Sequence, residues 1–214
     1  MLACLLSAGV LHPPMSQAAV TSSRYGIDWQ MASSDAEVDK AFSLARQSGR
    51  PIFLYWGAVW CPPCNQVKAT LFSRADFVER SRAFVPVYVD GDKPGAQKVA
   101  SRFKVRGYPT MILFKPDGTE ITRLPGEVDP ERYLLTLTTG LNAQVPVKDL
   151  VQRGLSGQPL SPEQWRLLAF YSWDTDEQQV LSTAELPQRL SDLAARVPSD
   201  LPAVRDRLSF KSLV

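Results

Sequence analysis

Two cysteines three residues apart carry the plainest chemistry in this chain. Cys61-Pro62-Pro63-Cys64 follows an apolar run from Pro51 to Trp56 and leads into a stretch with helical spacing through Val67 and Leu71. A C-x-x-C where a strand meets a helix suits dithiol chemistry. The sulfurs can bridge, and the first lies at a helix N-terminus, where backbone N–H groups and the dipole favour thiolate. Cys61 is thus the candidate nucleophile and Cys64 the resolving thiol. Two other readings compete. A structural zinc site needs four ligands, usually Cys and His, and the chain left once an N-terminal leader over residues 1–19 is removed would offer two cysteines and no histidine. A purely structural bridge stays open, although a loop this small would contribute little stability.

The rest of the inventory narrows the choice. Among 214 residues there are three cysteines and one histidine, so catalysis built on His rests on His12 alone and a disulfide-rich scaffold is excluded. A formal charge of +2 gives no electrostatic footprint for nucleic acid. Residues 1–19 read as a secretory leader, with an apolar run from Leu2 to Leu11 and small residues at Ser16, Ala18 and Ala19, although no Lys or Arg precedes the run. An apolar end that stays attached is the competing reading. Cleavage after Ala18 or Ala19 would remove His12 and Cys4, leaving Cys61 and Cys64 as the only cysteines. No later apolar stretch approaches the ~20 residues of a spanning helix.

The elements that must hold the pair are legible downstream of the leader. Ser34 and Glu37 make a capping box for a helix over about 34–48, stopped by Gly49. The run 51–56 reads as a strand buried on both faces. A short helix over 73–81, a strand over 84–90 and a helix over 93–103 follow. Strands 110–114 and 119–124 flank Pro116-Asp117-Gly118, a hairpin turn in which Pro presets φ and Gly accepts a positive one. A last helix runs from 129 or 130 to 139, ended by Gly140. With a first strand near 27–31, the order βαβαββα predicts an α/β sandwich. Residues 141–214 change texture: short amphipathic helices are expected at 146–154, 161–173, 174–181, 187–197 and 201–208, with Trp165, Tyr171 and Trp173 in a core. This extension is either an annex packed on the main domain or a module that recruits a partner.

Residues 50–140 resemble the thioredoxin family. The resemblance rests on Trp60-Cys61-Pro62-Pro63-Cys64 after an apolar strand, Asp90 closing the next strand, Val105-Arg106-Gly107-Tyr108-Pro109-Thr110, Leu113-Phe114 and Gly126. The longer first helix and Thr70 to Ser73 are most similar to the C-terminal domain of bacterial thiol:disulfide interchange reductases. The resemblance implies a thioredoxin-like three-layer α/β sandwich over 20–140 with a helical extension over 141–214. It also implies a cis Pro109 beside the cysteines and a substrate strand pairing with the backbone of Tyr108. Trp60, Tyr108 and Pro109 are accordingly the expected substrate contacts, whereas Trp56 reads more readily as core.

Departures from the family pattern bear on the redox couple. Where the family places a buried acid six residues before the first cysteine, this chain has Tyr55, and the lysine that faces it falls on Pro86. Where the interchange reductases have an acid after the second cysteine, it has Lys68. A phenol is no ready base near neutral pH. Pro62 and Pro63 lack N–H groups, so a Cys61 thiolate draws only on Cys64 and beyond, which limits its stabilisation, while Lys68 would act the other way if close. The expectation is an exported, periplasmic thiol:disulfide oxidoreductase with a reducing or intermediate couple. It would need no cofactor and no metal, only protein or peptide thiol and disulfide substrates and a redox partner to recycle it. The rival from another class is a binding or assembly factor whose tail recruits a partner and whose disulfide is structural.

Overall fold

Alternation along the central strand sets the layers. In β2 (Ile52–Gly57) every residue is buried, with Leu54 and Trp56 entering one apolar cluster and Phe53 and Tyr55 another on the opposite face. The computed structural model describes residues 26–126, 129–177 and 179–213; the leader reading of 1–19, with Cys4 and His12, lies outside them. β3 (Val85–Asp90) pairs parallel with β2 and with β1 (Gln30–Ala32), while β4 (Thr110–Phe114) and β5 (Glu120–Leu124) add antiparallel, giving the sheet order β1-β3-β2-β4-β5. Pro86 is tolerated in this interior strand because Val85 bonds toward β2 and the next residue faces the side where β1 has not yet begun.

Helices cover both faces. α1 (Asp35–Ser48) and α4 (Ala96–Arg102) pack on one side through Val38, Phe42, Ala45 and Val99. The other side takes α2 (Pro62–Val67), its continuation as a π-helical turn over Lys68–Phe72, α3 (Ala75–Ser81) and α5 (Pro130–Leu141). The fold is therefore the thioredoxin-like three-layer α/β sandwich. Gly140 does not stop α5 as expected: the helix runs on to Leu141, and a Cβ at Gly140 would overlap Leu113, so glycine serves close approach to the sheet.

Beyond the sheet, α6 (Val147–Leu155), α7 (Pro162–Ala169), α8 (Leu186–Ala194) and α9 (Pro202–Lys211) surround a third cluster containing Trp165, Tyr171, Trp173, Leu190 and Leu208. Two expectations here need correction. The helix expected through residue 173 ends at Ala169, because the Ser172 N–H donates to the Arg123 carbonyl at 3.0 Å and so leaves the helix for the sheet edge. The helix expected at 174–181 is replaced by a 3-10 turn, Trp173–Thr175, after which Glu177 takes φ 54° and Asp176 accepts from the Val180 N–H at 3.0 Å. A side-chain acceptor competing for backbone donors favours such a turn over helix. Among the described residues no helix is long and apolar enough to cross a membrane.

Candidate active site

Strand directions gather three loops at one end of the sheet. β2 and β3 run parallel and β4 runs against them, so the C-terminal ends of the first two lie beside the N-terminal end of the third; Gly57 pairs with Asp90 and Trp56 with Thr110. The loop after β2 carries Trp60 and Cys61, the loop after β3 carries Asp92, and the loop before β4 carries Tyr108 and Pro109. The rim of a sheet where such loops converge is the usual place for an α/β site.

Cys61 caps α2 and Pro62 and Pro63 form its first turn, positions whose missing N–H groups cost the helix nothing. Cys61 and Cys64 are disulfide-bonded, with Cα atoms 5.2 Å apart. Both sulfur-bearing residues are buried, Cys61 at 2% exposure and Cys64 at 0%. The Cys64 N–H donates to Cys61 Sγ at 3.2 Å, the first donor past the two prolines.

Tyr108 joins the exposed and buried parts of the rim. Its ring stacks on buried Trp56 at 5.7 Å between centroids and meets the edge of Trp60 at 5.6 Å. The Tyr108–Pro109 peptide is cis, and Gly126 lies against Pro109, where a Cβ would come within 3.3 Å of the proline ring. Trp60 remains 67% exposed yet is not loose: its Nε1–H donates to Asp92 Oδ1 at 2.8 Å, and the Val59 N–H donates to Asp92 Oδ2 at 2.9 Å. Asp92 was not foreseen. The one available sign was its place just past the end of a parallel strand, since 32 residues separate it from Trp60. Gly91 was missed too; a side chain there would overlap the Tyr108 ring.

The remaining expected residues lie on the inner side. Tyr55 is 1% exposed, its hydroxyl has no hydrogen-bond partner, and burial, reinforced by Tyr88, pushes its pKa well above the ordinary range. Lys68 holds its ammonium 5.3 Å above the Tyr88 ring, a cation–π contact, and together with Trp29, Tyr55 and Phe72 these residues line a cleft of about 340 Å³. A second cleft, about 410 Å³, opens beside Pro63 between α2 and α5, bordered by Gly126 and Tyr133. Among the described residues no group of three or more His, Cys, Asp or Glu side chains is placed to hold a metal ion.

Comparison with known proteins agrees with this geometry. A family model described as a thioredoxin-like domain matches residues 38–140. Thiol:disulfide interchange protein DsbD 1 of Pseudomonas aeruginosa is 29% identical over 106 residues, covering 48% of this chain and 18% of that protein, so the chain spans less than a fifth of its length. Thioredoxin of Mycolicibacterium smegmatis is 32% identical over 107 residues, covering 50% of this chain and 93% of that one. The solution structure of a thioredoxin from Thermus thermophilus superposes with a TM-score of 0.45 at 27% identity, over 53% of this chain and 85% of that one. Near-complete coverage of a thioredoxin at that identity, with the cysteine pair at the head of α2 and a cis proline immediately before β4, places this chain in the thioredoxin family.

Proposed function

We propose that the protein is an exported thiol:disulfide oxidoreductase that reduces or helps isomerise disulfides in proteins or peptides. The observation that carries this is the bridged Cys61–Cys64 pair at the N-terminus of α2, beside a rim made of Trp60, Tyr108 and cis Pro109. In the reduced enzyme the Cys61 thiolate attacks a substrate disulfide, forming a mixed disulfide and releasing one substrate thiolate. Cys64 then attacks Cys61 Sγ, releases the second thiol and closes the bridge, so two electrons pass to the substrate. A redox partner of the dithiol class returns them. Trp60, Tyr108 and Pro109 contact the substrate; Pro62 and Pro63 tune the couple by the N–H donors they withhold, Lys68 by its charge, and Tyr55 only by keeping an ionised acid away from the sulfurs, as phenylalanine would. One backbone donor to Cys61 Sγ stabilises thiolate less than several would, which supports a reducing or intermediate couple. Export, to the periplasm, rests on the leader reading of residues 1–19 and on the thiol:disulfide interchange proteins among the relatives. Residues 20–140 form the redox domain and 141–214 its helical annex.

One observation favours the rival, a binding factor with a structural bridge: both cysteines are buried in the oxidised chain. Cys64→Ala separates the two. Under the enzyme reading this variant accumulates substrate proteins as mixed disulfides through Cys61 in the native compartment. Absence of adducts, with function intact in the double Cys→Ala variant, would establish the binder. A reduction potential near the strong-oxidant value of about −120 mV would refute the reductive direction.

A further inference from the structure

Arg123, in β5, is fully buried, and all five N–H donors of its guanidinium are engaged. Nε donates to Glu120 Oε1 at 2.8 Å and Nη2 to Glu120 Oε2 at 3.2 Å, which neutralises the charge. The other three go to carbonyls. Two belong to Phe103 (2.5 Å) and Lys104 (3.1 Å), from which the chain enters the Val105–Pro109 loop; the third is Thr175 of the annex (2.9 Å). Lys104 itself has φ 49°, in the left-handed region.

The annex side of this junction is held as firmly. The Ser172 N–H returns a bond to the Arg123 carbonyl at 3.0 Å, and Asp176 accepts from the buried Tyr171 hydroxyl as well as from Val180. A second strap lies further along the loop, where Arg106 Nε pairs with Glu177 Oε1 at 2.5 Å, two residues before Tyr108.

We propose that the annex segment Trp173–Glu177 is a clamp that, through Arg123 and the Arg106–Glu177 pair, holds the Val105–Pro109 loop in its substrate-binding geometry. Arg123 and Glu177 are positioning residues in this scheme, and the scheme rests on the reading of Tyr108 and Pro109 as substrate contacts. The physical reason is that a guanidinium is a rigid planar fork. It fixes carbonyls of the loop root and of the annex in one frame, so shifting the annex must move the loop or leave N–H groups of the buried guanidinium without acceptors. The clamp gives residues 141–214 a task at the site, distinct from recruiting a partner.

The test uses the full chain with Glu177→Gln, which cuts only the outer strap, and Arg123→Lys, which cannot serve three carbonyls and a carboxylate at once. Turnover of a disulfide-bonded peptide is measured together with amide hydrogen exchange. Glu177→Gln is expected to raise KM about threefold, the scale of a partly exposed ion pair. Arg123→Lys is expected to raise it about tenfold or more. In both, kcat and the Cys61–Cys64 potential hold, while amides of residues 104–108 exchange faster and those of α1 keep wild-type protection. Unchanged KM and unchanged exchange at 104–108 in the folded variants would overturn the clamp. If Arg123→Lys does not fold, Glu177→Gln decides by the same readouts. A wild-type chain with no exchange activity overturns the proposed function, and the amide result then decides the clamp alone.

Discussion

Tyr55 stands where the family resemblance implies a buried acid, in the same apolar cluster as Cys61 and Cys64, and the consequence is chemical as well as structural. A phenol whose pKa is pushed far up by burial stays neutral well beyond neutral pH, so there it neither takes a proton from Cys64 nor places a charge beside the sulfurs. Its hydroxyl has no partner and fills the space over Gly57, where a Cβ would overlap it. Tyr55→Phe is therefore expected to leave thiol exchange unchanged and to hold or raise stability, by up to about 2 kcal/mol, in urea unfolding. Gly57→Ala should cost about 1–3 kcal/mol by overpacking, and most of that loss should persist in the Tyr55→Phe background, because ring carbons that phenylalanine keeps would overlap the new Cβ as the hydroxyl does. Full recovery in the Tyr55→Phe background would show that the hydroxyl alone, and not the ring, limits the site. The residue types were legible from the sequence here; the missing partner and the Gly57 contact were not, because both depend on how the ring turns inside the core.

At the level of elements, a mixed sheet assembles the site. An antiparallel β4 beside parallel β2 and β3 brings the loop before it to the same rim as the loops after the other two, which is why Trp60, Asp92 and Tyr108 meet although they are far apart in sequence. Asp92 ties two of these loops together by accepting from both Val59 and Trp60. Removing it as Asp92→Ala should leave the fold intact and free the indole. Solvent exchange of the Trp60 indole N–H should rise at least about fivefold by NMR, the factor for a hydrogen bond worth about 1 kcal/mol. An unchanged rate would mean that the Tyr108 edge contact alone holds the ring. Strand and helix placement over 34–124 followed apolar spacing and turn chemistry closely. The failures at Gly140 and at 161–181 share one cause, in that a neighbouring element outbid local preference: the sheet pressed against Gly140, and the β5 carbonyl took the Ser172 N–H.

For the molecule as a whole, buried phenols define a pH limit. Tyr133 is fully buried and donates to Met111 Sδ at 2.8 Å, Tyr171 donates to Asp176, and burial first of all drives the pKa values of both, like that of Tyr55, upward from the ordinary 10.0. The folded chain keeps these protons where the unfolded chain loses them. Stability is thus intact below about pH 10 and falls as the pH rises beyond it. Phenolate absorbance from these three side chains should appear together with loss of the near-UV circular dichroism signal, in one cooperative step. Ionisation of all three well before that loss would show that they are not shielded by the fold.

The chain's order of residues pointed to dithiol chemistry by itself: two cysteines at helix-capping spacing after an apolar strand, and prolines that withhold N–H donors. Each of these is a local property, fixed by residue type and by separations of a few positions. What the tertiary structure alone decided was how the site is held. The burial of Cys61, the grip of Asp92 on Trp60 and the three-carbonyl fork of Arg123 all join segments distant in sequence, and Arg123 read in isolation is an ordinary surface cation in a hairpin strand. Only when the annex closes over β5 is that charge withdrawn from water, and a guanidinium so placed must find a partner for every N–H it carries.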